Sequence, residues 1–352
     1  MRKLIRFLMR LIGLVLLLSL VLTAIVAWRG HFFRDVESRF AGTCEALPLE
    51  GSAEDIQLDR DRGLAYLSLL DRQGLVDGEE DVQGTVMRVN LNLKPLRAEP
   101  ALLDQPDHFR PHGLSLFVDE SGNRTLFALN HPVNRGSEPE MLEIFEERSP
   151  GRFTHVETIS HPLLVSPNDV VAVGPREAYV ANDKAMNQAG NVLQQLGIGG
   201  SPLTYINNGR ASIAVNNIAA GGGIAASANL NTIYVSETAA QRVRVLERDP
   251  DDGTLTEVDR IPVKTSPDNI DVAADGSLWI GAHANTLKLI QHFAQGKPAP
   301  SQVRRVSLDG LQDDVYLNDG REISASSVGV NYDNLLLIGS ITARKLLVCT
   351  LN

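Results

Sequence analysis

The chain has 352 residues, 43% of them hydrophobic and 22% charged, with a formal charge of -10. That composition excludes a disordered chain, and the acidic balance excludes a nucleic-acid partner, which would require a basic face to neutralise phosphates. The length suits one large all-β unit, because barrels and propellers of this size form around a continuous core.

Residues 1–10 carry Arg2, Lys3, Arg6 and Arg10, and an uncharged apolar stretch runs from Leu11 to Trp28. At 1.5 Å per residue that stretch gives a helix of about 27 Å, close to the hydrocarbon thickness of a bilayer. The cationic flank predicts a cytoplasmic start, with Trp28 near the far interface and the rest of the chain exported. A cleaved signal peptide is the competing reading. Its apolar region usually spans roughly 7–15 residues and ends in a small-x-small site, which Ala24 and Ala27 fit poorly. The expectation is a transmembrane signal anchor over 11–28 and an extracytoplasmic domain, secreted if the anchor is cleaved.

Residues 29–43 read as a juxtamembrane linker, and 44–352 as the folded domain. Cys44 and Cys349, the only two cysteines, stand at the two ends of that domain. In an exported protein an even count so placed reads as one disulfide; two separate buried thiols is the other reading. Asn123-Arg124-Thr125 is a glycosylation sequon, usable only in a eukaryotic source.

Between the cysteines one pattern recurs six times, each copy a polar or small start, an apolar strand, a turn and a second apolar strand. The copies are EDIQLDRDRGLAYLSLL from Glu54, HGLSLFVDESGNRTLFALNH from His112, NDVVAVGPREAYVAND from Asn168, GGIAASANLNTIYVSE from Gly222, DNIDVAADGSLWIGAH from Asp268 and SSVGVNYDNLLLIGS from Ser326. Alternation marks half-buried strands, and Asp-Gly, Ser-Gly or Gly-Pro marks the turn. Two further strands fit between copies, for example MLEIFEERSP and RFTHVETIS. Four strands in about 50 residues is the size of a propeller blade, so the prediction is an all-β, six-bladed propeller behind an N-terminal transmembrane helix.

In a propeller the innermost strands line the axis, so their first residues converge although far apart in sequence. That ring is Glu54, His112, Asn168, Gly222, Asp268 and Ser326, with Asp55, Asp169 and Asn269 beside it. Carboxylates and amides crowded together repel one another and are costly to desolvate; a hard cation such as calcium, which takes six to eight oxygens, resolves this. Neighbouring side chains on a strand point to opposite faces, which predicts two ions at different depths. Asp and Asn are also common turn formers, the other use of these positions. His112 and His131 open and close one hairpin beside the tunnel mouth, where imidazole could accept a proton near neutral pH.

RPHGLSLFVDE, FALNHP, PNDVVAVGP, AYVAND, PDNIDV and LWIGAH, with Cys44, SAEDI and Cys349, resemble the corresponding segments of the serum paraoxonase/arylesterase family across the folded region. The resemblance implies calcium-dependent hydrolysis of lactones and aryl esters. It implies a catalytic calcium on Glu54, Asn168, Asp268 and Asn269. A structural calcium on Asp55, Asp169 and the Leu114 carbonyl, and a His112–His131 dyad, are implied as well. It also implies that the ion polarises the substrate carbonyl while His112 deprotonates water. Two departures stand out. The family's Asn ligand in the fourth repeat is Gly222 here, and the segment after AYVAND is polar and Gly-rich where the family has an aromatic lid helix. A weakened calcium-binding propeller serving as a scaffold, and a gluconolactonase-like hydrolase, are the alternative functions.

Overall fold

The computed structural model describes residues 2–352. Among the described residues twenty-five strands form six antiparallel sheets, four built from consecutive strands and two joined by a strand from the N-terminal side of the domain. The innermost strands are Ser52–Asp59, Pro111–Val118, Pro167–Gly174, Gly221–Ala226, Ser266–Val272 and Ser326–Tyr332, one for each repeat read from the sequence. The fold is therefore the expected six-bladed β-propeller.

Apolar residues pack between blades. Leu67 and Val89 of blade one meet Leu337 and Leu346 of blade six in one cluster, while Tyr66 of blade one and Phe145 of blade two share the next. Four further clusters continue the sequence through blades two to six, so the ring is closed by side-chain packing at every step. A fully buried Leu contributes about 1.5–3 kcal/mol, and each blade supplies several to each neighbour.

The last blade is completed by the N-terminal side of the domain. Strand Gly42–Pro48 pairs antiparallel with Lys345–Leu351, and the Cys44–Cys349 pair in that ladder is disulfide-bonded. The bridge therefore lies within blade six, and the chain passes directly from it into blade one. Strands begin slightly earlier still: Arg39–Phe40, inside the segment expected as a linker, pairs with Gln312–Asn318 on the edge of blade five.

Helix α1, Arg2–Arg29, has no buried residue and is long and apolar enough to cross a membrane. The chain just beyond the helix is fixed to the propeller. Arg29 Nη2 donates to the Ala239 carbonyl at 2.8 Å, and Thr286 N–H donates to the Gly30 carbonyl at 2.9 Å. Val36 is buried with Ala284 and Leu317.

Because the inner strands all leave the same end, the connection after each second strand returns to that end as well. Three of these connections carry short helices, α2 (Arg72–Val76), α3 (Gln188–Gln195) and α4 (Thr286–Gln295). Helix α3 arises within the segment read as polar and Gly-rich; its N-cap Asn187 accepts from Gly190 N–H at 2.8 Å. Helix α4 is capped by Asn285 at one end and by Gly296, at φ +65°, at the other. The sequon residue Asn123 lies in an exposed turn with its amide held by Asp119 at 2.8 Å.

Cross-linking residues 305 positions apart removes about 6 kcal/mol of unfolded-state entropy in the chain-entropy description. Replacing both Cys44 and Cys349 with Ser should lower stability by roughly 2–5 kcal/mol, read as a lower urea midpoint, with a steeper slope because the unfolded chain is no longer cross-linked. An unchanged midpoint would mean that strand pairing alone closes the ring.

Candidate active site at the tunnel head

Every inner strand is bulged where it meets the axis. The register skips between Ala53 and Ile56, Pro111 and Leu114, Pro167 and Asp169, Gly221 and Ile224, Pro267 and Ile270, and Ser326 and Val328. A bulge sets two residues against one on the partner strand and turns the extra side chain out of its alternating direction. Strict alternation therefore does not hold at Glu54-Asp55 or Asp268-Asn269. In blade six the extra residue is Ser327, not Ser326 as the repeat spacing suggested: Ser327 Oγ donates to the Glu54 carbonyl at 2.6 Å, whereas Ser326 is tied to blade five through Ser301 and Gln302.

The bulged residues form two levels of contact. Asp55 and Asp169 staple neighbouring blades: Asp55 Oδ2 accepts from Leu114 N–H at 2.7 Å, and Asp169 Oδ2 from Ile224 N–H at 2.8 Å. Their Oδ1 atoms accept from Ile56 and Val170 N–H. Glu54, Asn269 and Asp268 lie across the axis, with Asn269 Nδ2 donating to Glu54 Oε1 at 3.2 Å and to its carbonyl at 3.1 Å. Glu54, Asp55, Asp169, Asp268 and Asn269 are all buried.

Burial dominates the electrostatics. It lifts the Glu54 carboxyl well above the usual range, with the nearby Asp268 charge adding to the effect. It pushes Asp55 up to about 7 against the pull of the Leu114 and Ile56 amides, and it raises Asp169, where the Asp55 charge contributes too. No Lys or Arg forms an ion pair with these four carboxylates among the described residues; imidazoles are their neighbours, His112 at 3.3 Å from Glu54 and His283 at 3.0 Å from Asp268. Arg72 is the nearest influential cation, itself buried and pulled down to about 10 by desolvation.

Three oxygens at this point have no hydrogen-bond partner although buried: Glu54 Oε2, Asn168 Oδ1 and Asn269 Oδ1. An unpaired buried polar atom costs about 1–3 kcal/mol. The donor set suits a hard divalent cation, which carboxylate and amide oxygens coordinate without precise geometry. Among the described residues no three His, Cys, Asp or Glu side chains cluster as a metal site; the oxygens that converge here are carboxylate and amide together.

His112 and His131 are brought together, ring centroids 4.7 Å apart and tilted by 59°. No hydrogen bond joins them among the described residues. His112 Nδ1 lies 2.8 Å from the Asn168 carbonyl; a carbonyl only accepts, so Nδ1 carries the hydrogen and Nε2 is the lone-pair nitrogen. Glu54 Oε2 approaches the same nitrogen at 3.3 Å without a hydrogen bond. Burial, then the charges of Arg72 and Arg135, draw His112 down to about 3, against the upward pull of its hydrogen bond to the Asn168 carbonyl. His131 is drawn well below its ordinary value, first by burial and then by His112.

The inner strand of blade four supplies no polar side chain. A Cβ on Gly222 would lie 2.5 Å from Thr238 Oγ1 and 3.2 Å from Asp268 Oδ1. Thr238, just past the second strand, donates its hydroxyl to the Pro267 carbonyl at 2.7 Å and fills that space. Thr238 and His283 also line a cavity of about 300 Å³ walled by Arg29, Phe32 and Leu289. Neither residue stands out from the sequence alone. His283 ends the LWIGAH hairpin as His131 follows FALN, so hairpin ends read in parallel would have revealed it.

Fold and site together define a six-bladed propeller with a buried, oxygen-rich head to its central tunnel. The arylesterase family model matches residues 47–351, and the chain belongs to that family. Serum paraoxonase/arylesterase 2 of Rattus norvegicus is 30% identical over 326 residues, 89% of this chain and 90% of that protein. Serum paraoxonase/lactonase 3 of Oryctolagus cuniculus is 30% identical over 315 residues, 86% and 87% of the two chains. Among solved structures the luciferin-regenerating enzyme superposes with a TM-score of 0.52 at 14% identity, covering 88% of this chain and 95% of that one. The calcium-binding protein regucalcin from Agrobacterium tumefaciens does so at 0.50 and 16%, covering 88% and 94%. Both share the propeller fold.

The carboxyl shifts set a pH signature for the metal-free protein. Below about pH 4 these groups are protonated in folded and unfolded chains alike. Above it the unfolded chain loses protons first, so stability falls as pH rises, the Asp55 share of that loss being complete once the group ionises near 7. With chelator the melting temperature should drop between pH 4 and 7, and calcium should restore it increasingly over the same range. A calcium effect that is flat with pH would disconnect the ion from these carboxylates. Gly222→Asn alone should destabilise the protein through collision with Thr238, and Thr238→Ala in the same chain should relieve it, both read by thermal melts.

Proposed function

We propose that this protein is a calcium-dependent hydrolase of lactones and aryl esters, anchored by α1 with the propeller on the extracytoplasmic side of the membrane. The observation carrying the reading is the trio of unpartnered buried oxygens, Glu54 Oε2, Asn168 Oδ1 and Asn269 Oδ1, beside an imidazole whose lone pair is on Nε2. Membership of the arylesterase family, with relatives named paraoxonase, arylesterase and lactonase, supports ester and lactone chemistry.

Glu54, Asn168, Asp268 and Asn269 would hold a catalytic calcium, and Asp55, Asp169 and the Leu114 carbonyl a structural one. When bound, the catalytic ion supplies Lewis-acid polarisation of the substrate carbonyl and stabilises the charge that develops on its oxygen. The protein's own part is proton handling and water exclusion. His112, locked as the Nδ1–H tautomer by the Asn168 carbonyl, offers Nε2 to a water and takes its proton as that water attacks the carbonyl carbon. Its depressed basicity keeps it neutral, and so competent as a base, across the neutral range. The alkoxide or phenolate leaving oxygen then takes up that proton. With the Nδ1 hydrogen committed to a carbonyl, His131 acts from beside His112 rather than through that nitrogen.

The disulfide supports an oxidising compartment, and the basic residues before the apolar stretch support the cytoplasmic placement of that end. Gly222 favours a second reading, a calcium-binding propeller acting as a scaffold, since blade four gives the axis no ligand.

The full-length protein in detergent should hydrolyse δ- and γ-lactones and phenyl acetate, lose activity on chelation and regain it with calcium. Calcium binding without turnover on any of these substrates would favour the scaffold. His112→Gln should lower kcat about 100-fold or more with calcium retained, whereas Asp268→Ala should abolish binding of the catalytic ion, both measured by calorimetric titration beside steady-state kinetics. Full activity in both variants would place the site elsewhere.

A further inference from the structure

The side of His131 away from His112 is occupied by a carboxylate that has no part in the proton transfer through His112. The blade-two ladder ends with Asn130 opposite Met141, so His131 and Glu140 are the next opposed pair, at the neck of the 132–139 loop. His131 Nδ1 lies 2.6 Å from Glu140 Oε2, and both side chains are more than nine-tenths buried. Glu140 Oε1 accepts from Arg135 Nε at 2.9 Å, and Arg135 Nη2 donates to Ser166 Oγ at 3.1 Å. The Glu140 carbonyl accepts from Ser160 Oγ at 3.2 Å. His131 Nε2, by contrast, is buried with no partner.

We propose that Glu140 is a positioning residue for hydrolysis: it accepts the Nδ1 hydrogen of His131, fixing that ring's tautomer and orientation so that its Nε2 lone pair serves the histidine pair at the tunnel head. The inference rests on the hydrolytic reading of His112 and His131. Burial raises the Glu140 carboxyl above its ordinary range, and the Arg135 guanidinium beside it opposes that rise, favouring the ionised, accepting form. Both imidazoles then hold their hydrogens on Nδ1, His112 against a carbonyl and His131 against a carboxylate, and both leave Nε2 free. Without Glu140, Nδ1 would have no acceptor and the unpartnered Nε2 would be the more easily hydrated nitrogen, so the ring would redistribute its hydrogen or rotate. The arrangement has the logic of a base oriented by a third group, with Arg135 and Ser166 as the fixed end of the chain.

A loop fastener would also place Glu140 between a histidine and an arginine, so the test must read the tautomer as well as the rate. Full-length protein labelled with 15N-histidine, in lipid nanodiscs, should show His131, assigned by its loss in His131→Asn, protonated at Nδ1 and bare at Nε2. In Glu140→Gln that signal should shift toward a tautomer mixture. The same variant should lose about ten- to a hundredfold in kcat, with KM and calcium affinity within twofold of the parent. Glu140→Asp, which keeps the acceptor, should recover part of the loss. A His131 hydrogen on Nε2 in the parent protein overturns the proposal even if no variant folds. Unchanged kcat in a folded Glu140→Gln overturns it as well. If His112→Gln is fully active the hydrolytic reading itself fails, and this is distinguishable because the tautomer measurement does not depend on turnover.

Discussion

Six strands whose ladders are interrupted at the same depth push their polar side chains into a space too small and too dry to hold them all charged. Glu54, Asp55, Asp169 and Asp268 are buried within reach of one another's fields, and burial makes each of the first three hold its proton more tightly. Some of this is relieved inside the protein. Asp55 and Asp169 spend their oxygens on backbone amides of the neighbouring blade and so lock blade one to two and blade three to four. The unrelieved remainder is concentrated on Glu54, Asn168 and Asn269, the oxygens that face no donor. The site is thus the part of the axis that the fold does not satisfy by itself, which is where a functional centre is expected to depart from local consistency.

The histidines are arranged by the same economy of partners. His112 and His131 each surrender Nδ1 to an oxygen acceptor, and His283 turns Nε2 toward Asp268. All three rings follow from blade topology. One begins an inner strand; the other two stand at the ends of second strands, which return to the same end of the propeller. Thr238 occupies the corresponding stretch of blade four and fills the room left by Gly222.

Much of this was legible in the sequence because a repeat converts distant residues into one ring. Glu54, His112, Asn168 and Asp268 follow from phase alone, and Cys44 and Cys349 from their places at the domain's ends. The hidden part depends on register. A bulge leaves no signature beyond two polar residues in a row, so spacing chose Ser326 over Ser327. Helix α4 did carry its signals, Asn285 before and Gly296 after, but its ten residues are short beside the surrounding strands. Glu140 was invisible because its partner is nine residues away across a loop whose closure only the ladder geometry determines.

The strand that completes blade six has a consequence for how the protein is made. Gly42–Pro48 emerges early, yet its partner Lys345–Leu351 is the propeller's final strand, so Gly42–Pro48 stays unmatched until the rest of the propeller has been made. Blades one to five can assemble behind one another as they appear, each sealing the apolar flank of its predecessor. The outer flank of blade one cannot be sealed, because its cluster needs Leu337 and Leu346. Throughout translation the nascent domain is therefore an open arc with a sticky edge. Chaperoning demand should fall in a single step once Lys345–Leu351 has emerged, when circularisation and thiol oxidation both become possible.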